Sequence, residues 1–129
     1  MTKRRFITEG KGLPRWSNPI SHAVVVEKTC YLSGQLSVSE AGQYVSGSVR
    51  EEATRAFANL FAAVDAAGFQ PSDITFIDIA FADLNDLPAV NAVFASLFPE
   101  GQRPARTIYQ AAALPFGGKV KVMGTAQKD

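Results

Sequence analysis

The sequence predicts an α+β fold: one six-stranded mixed sheet with two helices on one face. Three observations carry this expectation. Strand-like and helix-like segments follow one another as strand, hairpin, helix, strand, helix and two strands. One long helical segment carries a complete capping sequence and an apolar stripe at spacings of three and four. One strand-like run, Ile74 to Ala82, is apolar on both faces and so belongs at the centre of a sheet.

The elements follow in chain order. Lys3 to Thr8 carries a weak strand pattern. Residues 9–19 are rich in Gly and Pro and read as a loop, with Trp16 as an anchor onto the body or a pocket wall. His22 to Glu27, centred on Ala23-Val24-Val25-Val26, and Thr29 to Ser33 form a hairpin around Glu27-Lys28, with Gly34 ending the second strand. Ser39 to Gln43, containing Gly42, is a turn.

Ser48-Val49-Arg50-Glu51 is a capping box, and the helix it opens runs to about Ala67. Ala53, Ala56, Phe57, Leu60, Phe61 and Val64 form its apolar stripe, and Arg50, Glu51, Thr54, Arg55, Asn59 and Asp65 its polar side. Gly68 is the stop. Pro71-Ser72-Asp73 turns the chain into the central strand, which Asp78 interrupts. Asp83 to Asp86 is a loop, and Asp86-Leu87-Pro88 starts a second helix that ends at Pro99, with Asp86 as its N-cap. Pro104 to Tyr109 is the fifth strand, Leu114 to Gly118 a turn, and Lys119 to Thr125 the sixth strand.

Two helices cover one side of such a sheet. The other side, apolar at Val24, Val26 and Phe76, must bury against something, and a second copy of the chain is the simplest cover.

Composition bounds the function. A chain of 129 residues is one domain, 1–129, with 47% hydrophobic and 19% charged residues. A formal net charge of +1 gives no electrostatic case for nucleic acid or for an anionic membrane, and no run is long enough to span a bilayer. The single cysteine, Cys30, excludes an intrachain disulfide and reads as a buried, inert thiol. With no apolar segment behind the basic N-terminus, a cytoplasmic location is expected. No Cys/His cluster has metal-ligand spacing and no glycine-rich loop cradles a phosphate, so no metal or cofactor is expected.

The residue with most chemistry in it is Arg106. It shares a strand face with Ile108, where a buried charge would need a partner. At the rim of a small pocket, its planar fork fits a carboxylate with two hydrogen bonds.

An ordered set of segments makes the chain resemble the Rid (YjgF) family over nearly its full length. These are Pro19-Ile20-Ser21-His22-Ala23, Tyr31-Leu32-Ser33-Gly34-Gln35, Asp83-Leu84-Asn85-Asp86 followed by Val90-Asn91, Pro104-Ala105-Arg106-Thr107, and Ala113-Leu114-Pro115. The resemblance implies a chorismate-mutase-like fold and a homotrimer whose sheets close a central β-barrel. It implies clefts between subunits in which a reactive imine or enamine is hydrolysed to a 2-oxo acid and ammonia. Arg106 is then the carboxylate-binding residue, Ser33 and Gly34 line the pocket with backbone groups, and Asn91 and Ile108 lie beside it. Two positions depart from the family pattern. Ile20 stands where the family has a tyrosine. Lys121 stands where active members carry the glutamate that positions water, and Met123 follows two residues on.

A carboxylate can take a proton from water; an ammonium cannot while charged. Lys121 is therefore a candidate catalytic residue of altered chemistry. The alternative is a non-catalytic binding module for small carboxylates or dicarboxylates, with Arg106 and Lys121 converging on one cleft. A ribonuclease reading finds little support: His22 is the single histidine, and it has no paired acid and base.

Overall fold

The computed structural model describes residues 3–129. Among them six strands form one sheet, in the order β1-β2-β3-β6-β4-β5. The strands are β1 (Arg4–Ile7), β2 (Ala23–Val26), β3 (Thr29–Gln35), β4 (Ile74–Phe81), β5 (Ala105–Gln110) and β6 (Val120–Gln127). The helices are α1 (Val49–Ala66) and α2 (Leu87–Leu97). Four of the five neighbouring pairs are antiparallel; the pair of β4 with the edge strand β5 is parallel. A parallel pair needs a crossover, and α2 supplies it.

Both helices pack on one face. The core there joins Phe57, Leu60 and Val64 of α1 with Ile77, Ile79 and Phe81 of β4 and Val120 and Val122 of β6. Phe57 stands near Phe94 and Phe98 at ring separations of 6.0 and 6.5 Å, which locks α2 onto α1. The capping box forms as expected: the Glu51 N–H donates to Ser48 Oγ, and the Ser48 N–H to Glu51 Oε1.

The opposite face is largely open. Phe6, Tyr31, Tyr109 and Met123 are exposed at 63%, 55%, 44% and 37%. These are aromatic and apolar side chains at a sheet surface, as the sequence predicts for Val24, Val26 and Phe76, which share that face. Among the described residues one end of that face is covered, where Trp16 and Ala111 pack with Leu36, Val38, Ala80 and Leu114. Among the described residues no helix is long and apolar enough to cross a membrane.

Three local expectations are corrected. Gly34 does not end β3. It lies inside the strand, where the register with β6 shifts between Leu32 and Gln35. Asp86 makes no side-chain cap bond to α2; Asp83 makes one a turn earlier, accepting from the Asn85 N–H at 2.9 Å. Asn59 is buried rather than on the polar side of α1. Its amide donates to the carbonyls of Leu36 and Val38 at 3.0 and 2.9 Å, satisfying backbone that leaves the sheet there. The turn at Gly42 is as expected. A Cβ there would stand 2.2 Å from the Arg15 carbonyl oxygen, and φ is +90°.

Candidate functional site

β5 is an edge strand, exposed along its whole length. Arg106 lies in register with Ile77, whose side chain belongs to the helix-side core, so the arginine leaves the sheet on that side and runs along α2. Its Nη1 donates to Asn91 Oδ1 at 2.8 Å, and its guanidinium carbon stands 4.9 Å from the centre of the Phe94 ring. Asn91 and Phe94 are three residues apart on α2 and so share one helix side. One holds the fork by a hydrogen bond, the other by its π face. Neither takes up the whole fork, and no carboxylate of the described residues pairs with it. A cleft of about 410 Å³ opens here, lined by Asn91, Phe94, Ala95, Arg103, Pro104 and Arg106. Ile108, two residues along β5, is 37% exposed on the same strand face.

Ser33, Gly34 and Lys121 lie elsewhere. Across β3 and β6, Leu32 faces Gly124 and Gln35 faces Val122, so three residue steps on β3 span two on β6. Ser33 and Gly34 are thus the bulge, which re-aims their backbone. The Ser33 hydroxyl donates to the Ser21 carbonyl at 2.5 Å, tying the bulge to the loop that carries Ile20. Ile20 is 46% exposed. The stem of Lys121 crosses the bulge: its Cδ lies 3.0 Å from where a Cβ on Gly34 would stand. Lys121 alternates with the core residues Val120 and Val122, so it points to the open face.

Within one chain, then, the two cations do not share a cleft. Arg106 lies on the helix side at one edge of the sheet. Lys121 lies on the open side, two strands away. The cleft that the resemblance implies lies between subunits, so Arg106 and Lys121 of one chain need not meet. Phe94, read from the sequence as an apolar helix position, is buried in the core as expected and also presents its ring to Arg106.

His22 is a structural residue. The Pro14 carbonyl can only accept, so His22 Nε2 carries the hydrogen of their 2.8 Å bond; Nδ1 then accepts from the Gln35 amide at 3.0 Å. No second acid or base adjoins it. Among the described residues no cluster of His, Cys, Asp or Glu could hold a metal ion. A groove of about 510 Å³ between Thr8 and Glu40 is wider than the arginine cleft. Its acidic residue Glu40 is committed to the Gly12 N–H at 3.0 Å, and no reactive set converges there.

The sequence profile of the Endoribonuclease L-PSP family matches residues 13–128. The chain belongs to the Rid (YjgF) family. It is 42% identical over 124 residues to the 2-iminobutanoate/2-iminopropanoate deaminase of Capra hircus, covering 95% of this chain and 89% of that protein. The human protein of the same name is 38% identical over the same shares. Among solved structures, RidA from Psychrobacter superposes with a TM-score of 0.88 at 32% identity, covering 96% of this chain and all of that one. E. coli TdcF, solved with bound serine, gives 0.87 at 29% identity, covering 97% of this chain and 100% of that one.

Proposed function

We propose that the chain is a homotrimeric imine/enamine deaminase with a chorismate-mutase-like trimer around a central β-barrel. It adds water to a 2-imino acid and releases the 2-oxo acid and ammonia. The observation that carries the reading is Arg106, pinned by Asn91 and Phe94 at the wall of an open cleft, with no carboxylate of the described residues paired to it. Relatives at 37–42% identity that bear the deaminase name give the reaction class.

The reaction is R–C(=NH)–COO⁻ + H2O → R–C(=O)–COO⁻ + NH3. Water attacks the imine carbon, a carbinolamine forms, and the C–N bond breaks as nitrogen takes up the water's proton. The substrate is itself reactive, so orientation supplies much of the acceleration. Arg106 fixes the carboxylate with its fork. In the trimer, the open sheet face of one subunit meets the edge strand of the next. This brings Ser33, Gly34, Ile20 and Lys121 of one copy to Arg106, Asn91 and Ile108 of another. The bulge offers backbone groups to the imine, and the isoleucines supply an apolar wall. Lys121, as an ammonium, is not the base that activates water; it stands in the cleft as a second cation beside Arg106.

The test is 2-oxo acid release from 2-iminopropanoate generated in place by an amino-acid oxidase. The wild type should accelerate it, and Arg106→Ala should lose about 100-fold in kcat/KM, as expected for two charge-assisted hydrogen bonds. Binding of the 2-oxo acid without acceleration by the wild type would instead make the protein a carboxylate-binding module.

A further inference from the structure

Lys121 presents a charge that no carboxylate of the described residues answers. Its stem is laid over Gly34 and half-buried. It stands on the face whose exposed Phe6, Tyr31 and Met123 call for a cover. Covering that face strips water from the ammonium, and a desolvated cation needs an anion beside it.

The neighbouring lysine shows the contrast. Lys119, two residues earlier and 41% exposed, is paired with the buried Glu52 at 3.2 Å. Both lysines are half-buried in the single chain, and among the described residues Lys119 has an acidic partner while Lys121 has none. Glycine at position 34 leaves room for the lysine stem: a Cβ there would stand 3.0 Å from Lys121 Cδ, so the stem would have to give by a few tenths of an ångström.

We propose that Lys121 selects substrates with a second carboxylate: the imines of dicarboxylic amino acids, bound by Arg106 at the 1-carboxylate and by Lys121 at the side-chain carboxylate. This rests on the deaminase reading above and names its substrate class. Two cations against a monocarboxylate leave one positive charge uncompensated in a covered cleft; a dicarboxylate neutralises both. The reaction is unchanged in balance: water and the imino diacid give the 2-oxo diacid and ammonia.

The experiment compares kcat/KM for the imines of glutamate and aspartate with that for the imine of alanine, each generated in place and followed by competition with semicarbazide. The wild type should favour a dicarboxylic imine by about ten-fold, the worth of one charge-assisted bond. In Lys121→Met the ratio should fall to about one, whatever happens to the absolute rates, and Lys121→Arg should restore the preference. A wild-type ratio near one, or a ratio unmoved in Lys121→Met, overturns the proposal. So does a Lys121→Met protein that sediments as smaller particles with the ratio intact, since the ammonium would then be a subunit–subunit ion pair. If alanine's imine is turned over in an Arg106-dependent way with no preference, only this inference fails. If no imine is turned over by the wild type, the deaminase reading fails with it.

Discussion

Two side chains show what burial does to reactivity and charge. Cys30 is fully buried, and burial pushes its thiol up to about 11 against the opposing pull of Arg5 and Lys128. Only about one thiol in a thousand is then ionised at pH 8, so alkylation of the native protein should be far slower than of the unfolded chain. Mass-spectrometric counting of iodoacetamide adducts with and without denaturant checks this; fast native labelling would refute the buried placement. Glu52 is the opposite case. Burial pushes its carboxyl up, but bonds from the Tyr44 hydroxyl and from the Lys119 and Gly47 N–H groups outweigh it, and its pKa falls below the ordinary 4.5. The sign follows: a depressed folded-state pKa stabilises the fold above the unfolded value and is lost as pH falls through the folded one. Glu52→Gln should cost about 2 kcal/mol near neutrality, because N–H groups are left facing an amide NH2. Urea titrations of the two proteins should converge as the pH drops below about 4.5; a difference that stayed constant into acid would exclude the ionised network.

At the scale of elements, helix α1 was legible almost to the residue. Its cap and stripe are local, and the box at Ser48 and the stop at Gly68 need no tertiary information. Asn59 and Gly34 were not legible. An asparagine at a polar helix position and a glycine after a strand both have ordinary local readings. What decides them is backbone remote in sequence: the carbonyls of Leu36 and Val38 in one case, β6 in the other. The bulge carries a prediction of its own. Gly34→Val should press the Lys121 stem out of place, with a Cβ only 3.0 Å from Cδ. The expected outcome is a protein with a wild-type circular dichroism spectrum and a ratio of dicarboxylic to monocarboxylic imine turnover shifted toward one. An unchanged ratio would mean that the lysine does not depend on the bulge.

For the molecule as a whole, the sheet is a two-sided object with one side supplied by its own chain. Phe6, Tyr31, Tyr109 and Met123 remain exposed on the other. Closed threefold assembly would cover all three copies of that face by one repeated contact. Tyr31→Asp would place three buried charges in such an assembly. Sedimentation should find a trimer for the wild type and smaller particles for the variant, and 2-oxo acid release should be lost although Arg106 is untouched. A wild type that sediments as a single subunit would leave the cleft without its second half.

The amino-acid sequence by itself determined the element order, the cap and stop of α1, the arginine and the unmatched sheet face. Each of these depends on residues a few positions apart, where side-chain periodicity and turn chemistry are set by local geometry. Tertiary structure alone decided that Arg106 and Lys121 leave the sheet on opposite sides. That depends on strand pairing across the fold, where a shift of one residue reverses every side chain, and no local pattern records it.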